Sequence, residues 1–241
     1  METIAASLLG LFAAGYLVLV GASLGLGMLL RFLGRTDAER RRVLAALAPP
    51  GRGAGAWLTG TVVVLVGCFP GLAGELFTGL WPIPAVLVAG WLVRAAGLRR
   101  SRGPVAGRGH GAALLGSWLL AGGLAWALAS VLVGGARRTD DLTGWCAVAA
   151  VLLLFLTHGL GAGTRRLTGE PFRRARQLAG PRAGGRSVAL TSTVLAVLPP
   201  LAGVRLPLSG NAAPTPVLTL LVPPLLALFV VQLLRLRRGS G

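Results

Sequence analysis

The sequence predicts an all-α membrane protein, a polytopic transmembrane helix bundle of about seven spans. Three observations predict it: uncharged stretches of bilayer length recur, none of them contains an acid, and the arginines between them alternate in density. Of 241 residues, 54% are hydrophobic and 13% are charged, whereas an ordinary soluble domain has about a quarter of its residues charged. A bilayer core takes roughly 20 apolar residues per helix. Seven stretches meet that length: 3–30, 53–74, 76–93, 111–136, 142–164, 187–204 and 206–234. In lipid every backbone amide must be satisfied inside its own segment or in a closed barrel. The period-2 alternation of a barrel is absent, which leaves helices. The first stretch opens on Glu2 and is too long for the apolar core of a signal peptide, so we read it as a retained helix.

Charge orients the bundle. All 24 basic residues are arginine, and the formal net charge is +17. Six arginines fall between Arg31 and Arg52, none between 70 and 76, five from Arg94 to Arg108 and two at Arg137 and Arg138. Seven follow from Arg165 to Arg186, then one at Arg205 and three from Arg235. That is the positive-inside pattern, and it predicts the N-terminus outside and the C-terminus in the cytoplasm. The same arginines attract anionic headgroups of the lipid membrane, at about 1 kcal/mol each near the surface. No nucleic-acid partner is expected, because the basic runs are short, divided among loops and almost free of aromatics.

Two loops carry local structure. Thr36-Asp37-Ala38-Glu39 reads as a capping box. It predicts a short surface helix from Asp37 to about Leu47, ended by Pro49-Pro50-Gly51. Glu170, Pro171 and Gly180 predict a basic amphipathic helix from Pro171 to Leu178 at the cytoplasmic membrane surface. Gly21 with Gly25, and Gly159 with Gly163, have the four-residue spacing that lets helix backbones approach in lipid. The alternative is a compositional bias in a chain with 37 glycines. Pro199-Pro200 is expected to close the sixth span, and Pro223-Pro224 to kink the last.

The seven acids, Glu2, Asp37, Glu39, Glu75, Asp140, Asp141 and Glu170, all fall at span ends or in loops. Proton relays and ion-coupled transporters normally keep an ionisable group at membrane depth, which argues against a self-contained pump or antiporter. The absence of lysine excludes a P-loop, and no metal-ligand cluster is present. His110 and His158 are too scattered for a zinc site. His158 is either an axial haem ligand or, as lone histidines on apolar helices more often are, hydrogen-bonded to a neighbour. Cys68 and Cys146 fall near the outer ends of their helices, where they are either disulfide-bonded or two small buried hydrophobes.

Several segments together resemble subunit II of the cytochrome bd-type quinol oxidases. They are Tyr16 through Gly21 and Gly25 to Gly27, then Gly34-Arg35-Thr36-Asp37-Ala38-Glu39-Arg40-Arg41, and Pro49 through Trp57-Leu58. Phe69-Pro70, Leu76-Phe77-Thr78-Gly79 and Leu92-Val93-Arg94 follow, with a second block from Thr157-His158-Gly159 through Leu167-Thr168-Gly169-Glu170 to Arg174-Ala175-Arg176. The departures fall on polar positions. Val20 and Ser23 stand where the family has aspartates; Arg52, Ala54 and Gly55 replace Asp, Asn and Glu; Arg99 falls where a glutamate is usual. Family members are also longer, with nine helices.

The resemblance implies a shortened, divergent subunit II in a bacterial cytoplasmic (inner) membrane. It implies a four-helix bundle over residues 1–136, like the family's N-terminal half, and a reduced second bundle over 137–241. In the family, subunit II packs against a similarly folded, haem-bearing subunit I and contributes part of a proton route. The lost carboxylates argue against that route here, because arginine keeps its charge and the other replacements carry no proton. The expected function is a non-catalytic partner in a bd-like electron-transfer complex, with haem in the partner subunit and no cofactor bound by this chain. Residues expected at a subunit interface or in structural roles are Gly21, Gly25, Asp37, Arg40, Trp57, Arg94, His158 and Glu170. Trp57 is either a subunit anchor or an interfacial tryptophan, and Arg94 either an interface residue or a headgroup-seeking topology determinant. Two other functions fit the sequence: an orphan scaffold descended from such a subunit, and a small-solute transporter using Pro223-Pro224, Ser192, Thr193 and Gln232.

Overall fold

The computed structural model describes residues 1–101, 106–135, 137–180, 185–208 and 210–238, with backbone alone at 48–52, 106, 185 and 236–238. The side chains of Arg52, Arg102, Arg182, Arg237 and Arg238, counted above for orientation, lie outside the described residues. Ten helices and no strand are found among those described. They are α1 (Glu2–Met28), α2 (Leu30–Leu33), α3 (Asp37–Cys68), α4 (Pro70–Gly79), α5 (Ile83–Arg100), α6 (Ala106–Gly134), α7 (Leu142–Arg166), α8 (Gly169–Ala179), α9 (Gly185–Val204) and α10 (Thr215–Arg238).

The first helix is the axis of the bundle. It packs on α3, α6, α7, α9 and α10, and every residue from Val20 to Met28 is buried. A helix apolar on all sides is suited to that position. Its N-terminal half meets Trp57, Val64 and Cys68 of α3 and Leu218, Val222 and Leu225 of α10. Its middle meets Ala121 and Ala125 of α6, Val151 and Phe155 of α7, and Leu195 of α9. Its last turns and α2 meet Val43 and Leu47 of α3, Ala162 of α7 and Ala175 of α8.

Glycine allows the closest of these contacts. A Cβ on Gly25 would collide with the Phe155 carbonyl and lie 2.8 Å from the Gly159 Cα, so α1 and α7 touch backbone to backbone. At Gly21 it would lie 3.1 Å from the Phe155 ring, and at Gly163 2.9 Å from Leu26. Both glycine pairs picked out by spacing therefore lie on one helix crossing. A second set was missed. Gly90 and Gly97 on α5, with Gly109 and Gly116 on α6, hold those helices so close that added Cβ atoms would strike backbone of the opposite helix.

The loops sort to two ends. Glu39 at the start of α3 pairs with Arg174 of α8, and Asp37 lies 3.4 Å from His110 at the start of α6. These contacts gather the first, third and fifth connections, the arginine-rich ones. At the other end the Arg138 amide donates to the Gly79 carbonyl at 3.2 Å, and the Ala213 amide to the Cys68 carbonyl at 2.8 Å. The second bond satisfies a carbonyl that the end of α3 would otherwise leave without a partner.

Among the described residues five helices are long and apolar enough to cross a membrane, and α3 from Gly53 with α4, bent by 110°, forms a sixth candidate. Sequence hydropathy separates this region into spans 53–74 and 76–93. In the structure the first breaks at Phe69 and the second is α5, which runs between the two ends but carries Arg94, Arg99 and Arg100 in 18 residues. Large apolar side chains face outward, among them Val88, Trp91 and Leu92 of α5 and Leu190 and Val194 of α9. That is the surface of a protein whose solvent is lipid.

Three sequence expectations are corrected. The helix begun by the capping box does not stop at Pro49-Pro50-Gly51 but continues to Cys68. Nor do Pro199 and Pro200 close α9, which runs on to Val204. Proline removes a donor but is tolerated in membrane helices because neighbouring groups re-satisfy the freed carbonyls. Cys68 is buried, Cys146 is exposed on α7, and both thiols are free, so the disulfide alternative fails and the buried-hydrophobe alternative holds for Cys68 alone.

Replacing Gly159 by leucine is expected to destabilise the chain by at least about 1–3 kcal/mol, the usual cost of overpacking. The readout is thermal unfolding in detergent. Gly55→Ala, where a Cβ meets nothing within 4 Å, should leave the midpoint unchanged or raise it.

Candidate functional site

Polar side chains concentrate in three places. At the arginine-rich end, Thr36 caps α3: its hydroxyl accepts from the Glu39 amide at 3.2 Å, and Glu39 reaches back to the Thr36 amide at 3.3 Å. The same carboxylate accepts from the Arg35 amide at 2.7 Å. Arg174 of α8 then closes on it with both terminal nitrogens, at 2.7 and 3.3 Å, while also donating to the Leu33 carbonyl at 2.9 Å. This two-pronged geometry is the strong form of an arginine–carboxylate bond. The side chains are only 18% (Arg174) and 13% (Glu39) exposed. The Arg174 hydrogen bonds, followed by that from the Arg35 amide, hold the Glu39 carboxyl at about 2.

Asp37 and Arg40, expected here from sequence, flank that tie. Arg40 donates to Asp37 at 3.4 Å and to the Gly34 carbonyl at 3.1 Å. His110 is 4% exposed; its Nδ1 approaches the Asp37 carboxylate to 3.4 Å, and neither ring nitrogen makes a hydrogen bond among the described residues. Glu170 sits in the first turn of α8, after Gly169 at φ +68° and paired with Arg173, and α8 ends at Gly180, φ +82°. Positive φ suits glycine at both positions.

The second cluster lies within the bundle. Gly116 brings α6 against the Arg94 backbone. The guanidinium then crosses to donate from Nε to Ser117 Oγ at 3.1 Å and from Nη2 to the Ser23 carbonyl of α1 at 3.3 Å. Arg94 therefore turns inward, not out to headgroups.

The third cluster surrounds His158, 2% exposed. Its Nε2 lies 3.1 Å from the Val18 carbonyl, and its Nδ1 2.8 Å from Thr191 Oγ1. A carbonyl only accepts, so Nε2 carries the proton, and in the neutral ring Nδ1 accepts from the Thr191 hydroxyl. Both nitrogens are within hydrogen-bond reach of protein groups, and the Thr191 hydroxyl is also within reach of the Ser187 carbonyl at 2.9 Å. Trp57, 3% exposed, is packed within the chain between Phe12 and Phe229, at centroid distances of 5.8 and 5.6 Å, over Gly15. It anchors α3 to α1 and α10 and lies at neither a lipid nor a subunit surface of this chain.

The structure thus unites Asp37 and Arg40 with Glu39, Arg174 and His110, and Gly21 and Gly25 with the α7 crossing. It keeps Arg94, Trp57, His158 and Glu170 apart from one another. The sequence reading passed over Arg174 and Ser117 as site residues. A signal for Arg174 was its place on a predicted amphipathic helix. Ser117 had none.

Apolar helices with acids at their ends and arginines gathered at one side define a multi-pass membrane protein. A family model for cytochrome bd terminal oxidase subunit II matches residues 1–240, and the chain belongs to that family. The family's proteins reside in the inner membrane, in keeping with the apolar helices found here. Cytochrome bd-I ubiquinol oxidase subunit 2 of Escherichia coli strain K12 is 33% identical over 90 residues, which is 37% of this chain and 24% of that relative. Proteins of the same name from strains O6:H1 and O157:H7 match to the same extent. The matched segment spans about a quarter of these relatives' length.

The sign of the Glu39 effect follows from its lowered value. Its stabilisation is complete above the ordinary carboxyl value of 4.5 and is lost as pH falls through about 2. The unfolding temperature of the native chain is expected to drop between pH 4.5 and 2. That of Glu39→Gln should start lower and change less across the same window.

Proposed function

We propose that this chain is a non-catalytic subunit II-like partner in a bd-type quinol oxidase-like complex, packing against a haem-bearing subunit I. The N-terminus faces outside and the C-terminus the cytoplasm. The observation that carries the reading is the family match along residues 1–240, in a chain whose five unbroken candidate membrane helices hold no acid past Glu2, Glu75 lying on α4 of the bent pair. Such a chain supplies helix surface and orientation, not proton-transfer groups. The engaged nitrogens of His158 fit haem residing in the partner, and the outward apolar faces of α5 and α9 offer area for one. The loops sort to two ends as the arginine distribution requires, which supports the orientation. Residues 1–136 and 137–241 serve as the two halves of the subunit, with α1 shared between them.

An orphan scaffold is the second reading, favoured by the uncharged Val20 and Ser23 where the resemblance called for aspartates and by Ala54 where it called for asparagine. A transporter is less well supported. Ser192 and Thr193 lie on α9, which packs on α1, α6 and α7, whereas Gln232 lies on α10 against α1 and α3, and Thr193 is exposed.

Expression beside a subunit I homologue should yield a complex that retains haem absorbance through affinity purification on this chain. A chain recovered repeatedly without haem protein, in stable folded form, would select the scaffold reading.

A further inference from the structure

Arg94 carries a charge that no acid among the described residues balances. It lies six residues before the Arg100 end of α5, about 9 Å deeper at 1.5 Å per residue. Its two hydrogen-bond acceptors, Ser117 Oγ and the Ser23 carbonyl, are neutral. The nearby Tyr16 is a phenol.

The acids are all placed elsewhere. Asp37 pairs with Arg40, Glu39 with Arg174, Asp140 with Arg138 and Glu170 with Arg173. Asp141 caps α7, Glu2 opens α1 and Glu75 lies on α4. No ion pair among the described residues includes Arg94. A guanidinium does not discharge itself by losing a proton, and a charge held at low dielectric needs an opposite charge.

Its geometry is that of a receptor. Two bonds fix the guanidinium plane, and Nη1, which has no hydrogen-bond partner among the described residues, is not one of the fully enclosed polar atoms. One turn earlier on the same helix face, Trp91 is 60% exposed beside exposed Val88 and Leu92. An exposed tryptophan next to an arginine is the composition of a protein-binding centre. A lipid phosphate would sit at the level of Arg99 and Arg100, toward which the guanidinium does not point.

We infer that Arg94 receives a carboxylate supplied at membrane depth by a helix of an adjoining protein chain, along the Val88–Trp91–Leu92 face of α5. This rests on the partner-subunit reading above. It differs from that reading in naming the contact and its chemistry.

The test co-expresses the full chain with the haem-bearing subunit and measures haem absorbance recovered per mole of affinity-purified chain, for wild type, Arg94→Gln and Arg94→Lys. Thermal unfolding of each chain purified without the partner is measured alongside. Arg94→Gln is expected to lower haem recovery at least about tenfold, the usual consequence of removing one member of a buried charge pair, while the isolated chain, which loses only the bonds to Ser117 and Ser23, stays folded with a far smaller effect on its unfolding temperature. Arg94→Lys, which keeps the charge, should retain most of the recovery. Undiminished recovery with Arg94→Gln would overturn the inference while leaving the partner reading intact. An equal loss with Arg94→Lys, or a matching fall in the isolated chain's stability, would make Arg94 an internal α5–α6–α1 tie and overturn it too. Wild type that recovers no haem would sink both.

Discussion

The structure depends on the contact between α1 and α7 at Gly25 and Gly159. In lipid no hydrophobic effect drives helix against helix, so association relies on close packing and interhelical hydrogen bonds. Backbones in direct contact give the densest packing available. Because α1 is pressed against α7 there, the Val18 carbonyl comes within reach of His158 and the Phe155 ring fills the space over Gly21. The same placement of α1 puts the Ser23 carbonyl where Arg94 can donate to it. The polar contacts inside the bundle therefore follow from a crossing made by residues with no side chain.

Arginine plays three parts that differ only by place. In exposed loops it biases orientation through the membrane's surface field. At Arg174 it is a two-pronged clasp on a carboxylate already committed to a helix cap, so one acid stabilises a local turn and a distant contact together. At Arg94 it crosses between three helices. Residue type did not distinguish these parts. Position relative to the bilayer and the availability of an acid did.

The helical class and the alternation of loops were legible because hydropathy and charge act over whole segments. The capping box at Thr36–Glu39 and the boundaries of α8 were legible too, since a side chain there meets backbone only a few residues away. Span boundaries around Phe69 were not. The 110° bend divides a continuous apolar run, and hydropathy does not register direction. The prolines at 49–50 and 199–200 misled for a related reason: local donor loss predicts a helix end, and tertiary surroundings decide whether it happens. The partners of Arg94, His158 and Trp57 were hidden because each lies on another helix. The seven-residue glycine spacing on α5 and α6 was present in the sequence and went unread.

The Glu39–Arg174 clasp joins residues 135 positions apart, and this imposes an order on biogenesis. The first connection leaves the ribosome early, with its carboxylate held only by amides of its own turn, and its permanent partner is translated more than half a chain later. Until α8 arrives the loop is fastened at one side only. Synthesis that stops short of α8 leaves that segment open to the proteases that police unfinished membrane proteins.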